Sequence, residues 1–335
     1  MNTSTKQLFF NQMIRKLWSK SEISQIYRMP WQNLIFEAAQ VHRKHWDPLT
    51  VQRCTLLSIK TGGCTEDCKY CSQSVQHKTF VKPTPMMKTD EIINAAKEAK
   101  ESGSTRFCMG SAWREMGKKK KAFRTILEAI REIKAMDLQV CCTLGMVTQE
   151  QAKQLKDAGL FAYNHNLDTS REHYPKVITT RTYDDRLDTL ANVRSAGLTV
   201  CSGIILGLGE SEDDRISALH TYASMEKHPE SFPVNALVKV EGTPMYEEPD
   251  KPVDVWDMGR MIATARILMP KTKIRLSAGR KEFSDLEQSM MFMAGANSIF
   301  AGDTLLTTKN QSLDDDQIMF KRLGMKLESH VRVNK

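Results

Sequence analysis

The sequence predicts an α/β protein, a (β/α)8 barrel of the TIM-barrel class with N-terminal capping helices, and three observations make the prediction. From residue 54 onward, short runs rich in β-branched residues or cysteine alternate with helical segments through eight units. Polar and thiol side chains recur on one face of those runs, where a filled barrel would carry Val, Ile and Leu. Finally, the densest chemistry, Cys64, Cys68 and Cys71, directly follows the first run, at the barrel end whose loops carry active sites. A doubly wound open sheet is the alternative, but Gly207-Leu-Gly209 lacks the third glycine of that fold's phosphate fingerprint.

The first 30 or so residues are basic, with Phe9, Phe10, Met13, Ile14, Leu17 and Trp18 interspersed. An organelle transit peptide shares that composition. The apolar positions nevertheless run on into Trp31, Leu34, Ile35, Ala38 and Val41, at helical spacing behind Pro30, so a helical extension over 1–50 is expected. The barrel is expected over 51–325, with strands at 55–61, 106–111, 139–144, 161–167, 199–206, 233–240, 273–278 and 297–301, and a short tail over 326–335. Between the strands, Phe123, Ile126, Leu127, Ile130 and Ile133 form one helical stripe, and Leu187, Leu190 and Val193 another. Thr148 and Gln151 make a capping box, and Gly159 ends that helix. The run Lys118 to Lys121 reads as a solvated loop ahead of a helix.

The net charge of +8 comes from dispersed basic residues without a nucleic-acid module, and fits an anionic cofactor or substrate. No apolar stretch is long enough to cross a bilayer and no secretory signal is evident, so a soluble, cytoplasmic protein without membrane or nucleic-acid partners is expected. In that setting eight cysteines point to metal chemistry or buried thiols rather than a disulfide framework.

Cys64-Thr-Glu-Asp-Cys68-Lys-Tyr70-Cys71 puts three thiols within eight residues. Thiolates are the soft ligands that iron-sulfur clusters select, and three of them leave one iron of a cube open to a chelating molecule beside the Tyr70 ring. Structural zinc is the competing reading, yet it wants four closed ligands and no second cysteine pair lies nearby in sequence.

The strands add Arg106 and Cys108, Cys141 and Thr143, Asn164, Asn166 and Asp168, Cys201, Asn235, and Arg275 with Ser277, each set keeping a period of two. If that face turns inward, the barrel encloses a polar chamber that needs a bound ligand. Three cysteines on different strands suit a second, smaller cluster; a buried, inert thiol is the alternative for each one singly. Cys142 faces away from Cys141, and Cys54, ahead of the first strand, is given no role.

The C-x3-C-x2-C pattern resembles the signature of radical S-adenosylmethionine (SAM) enzymes. Within them, Thr55-Leu-Leu-Ser-Ile-Lys-Thr-Gly-Gly-Cys64, Cys68-Lys-Tyr-Cys71-Ser-Gln-Ser, Phe107-Cys108-Met-Gly, Tyr163-Asn-His-Asn-Leu-Asp-Thr169 and Arg275-Leu-Ser-Ala-Gly-Arg280 resemble the biotin synthases, from about Trp31 to Leu323. The resemblance implies a homodimeric barrel that converts dethiobiotin to biotin, drawing electrons from a donor protein such as flavodoxin or ferredoxin. It implies a 4Fe-4S cluster on Cys64, Cys68 and Cys71, with SAM on the open iron, and a sulfur-donating 2Fe-2S cluster on Cys108, Cys141, Cys201 and Arg275. By the same resemblance Asn166 and Asn235 hold the ureido ring, and Thr307 and Thr308 the substrate's carboxylate. Asp168 takes SAM's ribose, Arg186 its methionine carboxylate, and Gly203, Ile205, Gly207 and Glu210 form the G-x-I-x-G-x-x-E element that supports adenine. A radical SAM enzyme without a second cluster, and a non-catalytic iron-sulfur carrier, are the competing functions.

Overall fold

The computed structural model describes residues 17–249 and 252–329. Eight parallel staves close into a barrel in the order β1 (Thr50–Lys60), β2 (Arg106–Ser111), β3 (Gln139–Thr143), β4 (Ala162–Asn164), β5 (Thr199–Cys201), β7 (Ser231–Ala236), β8 (Lys273–Leu276) and β9 (Ser298–Ala301), with β9 pairing back onto β1. The short β6 (Ile204–Leu206) continues the fifth stave and also pairs with β7. The eightfold alternation read from the sequence is therefore the observed architecture.

The helices follow the local signals. Helix α1 (Lys20–Tyr27) starts at a capping box from Ser19 to Glu22, and α2 (Trp31–His45) starts behind Pro30 and buries Leu34 and Ala38. The expected box at Thr148 and Gln151 opens the helix Gln149–Ala158, which Gly159 ends at φ 105°. Ile126, Ile130 and Ile133 are buried as the stripe predicts, and so are Leu190 and Val193. Phe9, Phe10, Met13 and Ile14 lie outside the described residues.

Several boundaries differ from expectation; the sixth stave, for one, spans Ser231–Ala236 rather than 233–240. The first strand begins at Thr50, because Thr50 and Val51 pair with a short strand, Lys326–Leu327, inside the expected tail. The fourth stave stops at Asn164, well before the expected 167, because Asp168 adopts φ 67° and makes an isolated bridge to Ile204. The lysine run is only half loop: Lys120 and Lys121 already form the first helical turn, where their charge opposes the helix dipole. Among the described residues no helix is long and apolar enough to cross a membrane.

Candidate active site

The cysteine triad sits where β1 hands over to a loop at the C-terminal end of the barrel. Gly62 and Gly63 take positive φ, 66° and 72°, to turn the chain, and a Cβ on Gly62 would meet the Pro83 backbone at 3.0 Å. The loop then folds back on itself: Cys64 N donates to Gln73 O at 3.0 Å, Val75 N to Cys64 O at 2.8 Å, and Cys71 N to Cys68 O at 2.9 Å. Asp67 ties it to the neighbouring loop by accepting from the backbone of Thr179 at 2.9 Å and of Thr180 at 3.2 Å. Burial pushes all three thiols upward, Cys71 to about 11, so on their own they rest as neutral thiols and only a bound cation would favour the thiolate.

The second set lies deeper. Cys108 and Cys141 are register partners on β2 and β3, and Cys201 is the partner of Asn164 on β5. The Cys141 thiol bonds to both Cys108 and Cys201; that bond, and then the Arg275 guanidinium, hold the outer two below the ordinary thiol range, while Cys141 is pushed well above it. Arg275 is fully buried, with Nη1 3.7 Å from Cys201 Sγ and its guanidinium 4.6 Å from the Phe300 ring centroid. Cys142 packs in the apolar core on the other face, as the alternation requires.

One cavity of about 340 Å³ joins the two thiol sets, and Tyr70, Asn166, Asp168, Arg186, Asn235, Thr307 and Thr308 also line it. Asp168 Oδ2 accepts from Arg186 Nη2 at 2.6 Å and from the Tyr70 hydroxyl at 2.9 Å, so three of the expected SAM contacts are bonded together. Arg186 further donates to Asn166 O at 2.6 Å and to the Tyr174 hydroxyl at 2.9 Å. Asn166 Oδ1 accepts from Asn164 Nδ2 and from Gly203 N, at 3.0 and 3.1 Å. Asn235 spans Ile204 O and Ala278 N, at 2.8 and 3.1 Å. Thr307 and Thr308 belong to a hairpin, and Thr307 Oγ1 lies 2.8 Å from Ser72 Oγ.

Of the G-x-I-x-G-x-x-E element only Ile205 reaches the cavity wall. Glu210 instead caps the turn, accepting from Gly207 N at 3.1 Å and Leu208 N at 2.7 Å while pairing with Arg215 at 2.8 Å. Arg106 lies below the cavity, donating to Gln139 Oε1 at 2.9 Å with its guanidinium 5.1 Å from the Phe161 ring. Sequence reading missed three participants. His165 and Arg181 line the cavity, and Cys54 joins the inner thiols in one buried cluster. His165 falls out of step with its strand-like neighbours, Arg181 has no local pattern, and only the continuation of the Leu56 alternation back to Cys54 offered a signal.

Among the described residues no three metal-ligating side chains close on one point as a bare ion requires. The two thiol sets line the wall of one cavity instead, an arrangement that fits clusters several atoms across, and buried sulfur is the donor they take.

Comparison with known proteins agrees with this chemistry. The radical SAM superfamily profile matches residues 58–221, and that of the biotin and thiamin synthesis associated domain matches 233–326. The mitochondrial biotin synthase of Arabidopsis thaliana is 60% identical over 311 residues, covering 93% of this chain and 82% of that one. The biotin synthase of Cytophaga hutchinsonii is 59% identical over 313 residues, covering 93% and 92%. Among solved structures, methylornithine synthase superimposes with a TM-score of 0.79 at 16% identity over 97% of both chains, a likeness of fold.

Proposed function

The chain belongs to the biotin synthase family, and from that premise we propose that its cavity inserts sulfur into dethiobiotin to give biotin, with SAM as the radical source. The observation that carries the reading is two separate sets of three thiols opening on one cavity, with amides and a buried Arg–Asp pair also on its wall. Cys64, Cys68 and Cys71 would hold the 4Fe-4S cluster; Cys108, Cys141, Cys201 and Arg275 would hold the 2Fe-2S cluster. When bound, the first supplies the electron that cleaves SAM reductively and the second supplies sulfide, chemistry that the unactivated carbons of the substrate demand.

The chain's own residues bind, orient and exclude water. Asp168 has committed Oδ2 to Arg186 and Tyr70, which leaves Oδ1 for the ribose hydroxyls of SAM. Arg186 has five N–H groups and donates from three nitrogens to protein, so hydrogens remain for the methionine carboxylate. Asn166 has spent its oxygen and keeps its Nδ2 hydrogens for the ureido oxygen. Asn235 keeps one hydrogen and one lone pair for the same ring, and Thr307 offers its hydroxyl to the tail carboxylate, whereas the Thr308 hydroxyl donates to Leu305 O at 3.2 Å and would have to turn from that bond to do the same. Ile205 lends an apolar wall to the adenine, while Gly203, Gly207 and Glu210 support that wall by shaping the turn behind it. Burial of the Arg186–Asp168 pair keeps these contacts dry and fixed.

The family resemblance further supports a homodimer served by a one-electron donor protein such as flavodoxin or ferredoxin. A cytoplasmic location remains the reading from the sequence, and the mitochondrial relative makes cell fractionation its test. The activity is tested by incubating the anaerobically reconstituted chain with SAM, a reductant and dethiobiotin. Biotin is expected from the wild type; Cys68→Ala is expected to retain the inner cluster by Mössbauer spectroscopy while releasing no 5′-deoxyadenosine. Undiminished SAM cleavage by that variant, or no biotin from a wild type carrying both clusters, overturns the reading.

A further inference from the structure

Resting on the two-cluster reading above, we propose that Cys54 is a positioning residue, whose sulfur fixes the Arg275 guanidinium at the inner cluster. The case begins with what a buried guanidinium needs. Arg186 and Arg280, both buried, are paired with Asp168 and Asp316. The hydrogen bonds of Arg275 run instead to sulfur and hydroxyl: Nε donates to Ser298 Oγ at 3.0 Å, Nη1 to Cys201 Sγ at 3.7 Å, and Nη2 to Cys54 Sγ at 3.2 Å. Phe300 covers one face of the group. The shorter of the two sulfur contacts is the one to Cys54.

The directions of the surrounding bonds make Cys54 more than a filler. Ser298 Oγ donates to Gln52 Oε1 at 3.3 Å, which commits the serine proton. The 3.7 Å contact between Cys54 and Ser298 then has the thiol donating. Cys54 accepts from the arginine and donates to the serine that the same arginine bonds, so the fork is held at both ends by one closed set of hydrogen bonds. A hydroxyl can do both; a methyl group can do neither.

Register distinguishes this role from that of a fourth ligand. On β1 it is Leu56 that pairs with Cys108, whereas Cys54 pairs with Arg106 on one side and Phe300 on the other. Cys54 therefore lies two residues deeper than the Cys108–Cys141 layer, behind the arginine. Cys142 shows what a structural thiol looks like in this barrel, being packed in the main apolar core.

The test uses the full chain, reconstituted anaerobically with iron and sulfide, as wild type, Cys54→Ala and Cys54→Ser. Mössbauer and resonance Raman spectra, the midpoint potential of the 2Fe-2S centre and its rate of loss to a chelator are measured, together with thermal unfolding of each apoprotein. Loss of a hydrogen bond to a charged group corresponds to roughly a tenfold change or more, so Cys54→Ala is expected to lose its inner cluster about tenfold faster, with a shifted potential. Cys54→Ser is expected to restore both, and the 4Fe-4S content to be equal in all three. An inner centre in Cys54→Ala with wild-type spectrum, potential and lifetime overturns the proposal, as does a serine variant no better than alanine. A wild type that takes up no 2Fe-2S cluster overturns the two-cluster reading itself, an outcome visible before any variant is compared.

Discussion

Gly203→Ala tests how the wall of the cavity is built. Gly203 does not take a left-handed conformation, so its need for glycine is purely steric: a Cβ there would stand 1.9 Å from the Pro233 carbonyl oxygen. Real Cβ contacts essentially never fall below 3.0 Å, so the fifth and sixth staves must separate by at least about 1.1 Å, the difference between the two values. The obstacle is backbone and cannot swing aside, so the upper part of the usual overpacking range, about 2–3 kcal/mol, applies. The same shift pulls Gly203 N from Asn166 Oδ1, now 3.1 Å away, which costs about 1 kcal/mol more. At roughly 2–3 °C per kcal/mol for a large chain, the apoprotein should melt about 6–12 °C lower. Differential scanning calorimetry of the apoprotein and isothermal titration of the reconstituted enzyme with dethiobiotin give the two readouts. An alanine variant with unchanged melting and unchanged affinity would refute the steric argument and the coupling of Gly203 to Asn166.

Three further outcomes are expected. Asn166→Ala should weaken dethiobiotin binding roughly tenfold by titration calorimetry, because a buried ureido ring loses a donor, while SAM affinity changes less. Asp316→Ala should destabilise the apoprotein in urea by about 3–5 kcal/mol, since it strands Arg280, whose Nη2 lies 2.6 Å from Asp316 Oδ2 with both side chains fully buried. Burial, helped by Arg266 and Arg43, lowers His42 from 6.5 to about 3. The unfolded chain therefore binds the extra proton between those values, and stability is full above about pH 6.5, falls as the pH drops and levels off near pH 3. The loss amounts to about 3–5 kcal/mol, and His42→Leu should flatten that part of the urea-midpoint profile; a profile identical to wild type would contradict it.

The eight-unit alternation, the caps at Thr148 and Gly159, the stripe through Ile126, Ile130 and Ile133, and the three-thiol loop after the first strand are all written in the residue order. These rest on separations of a few residues, which the pleat, the helical repeat and a short loop convert directly into geometry. The polar face carrying Cys108, Cys141 and Cys201 was legible too, because a period of two groups residues on one side of a strand before its partner is known, but that this face turns inward was not. Which inward groups meet follows from the closed barrel alone. Cys54 and Arg275 lie 221 positions apart, and Tyr70 and Asp168 lie 98 apart, so no local rule connects them. Asp168 reads as a strand residue, yet its positive φ and its bond to Arg186 come from the turn made where the fourth stave ends. Closure and stagger of the barrel set these encounters, and both depend on how all eight staves pack together rather than on any one of them.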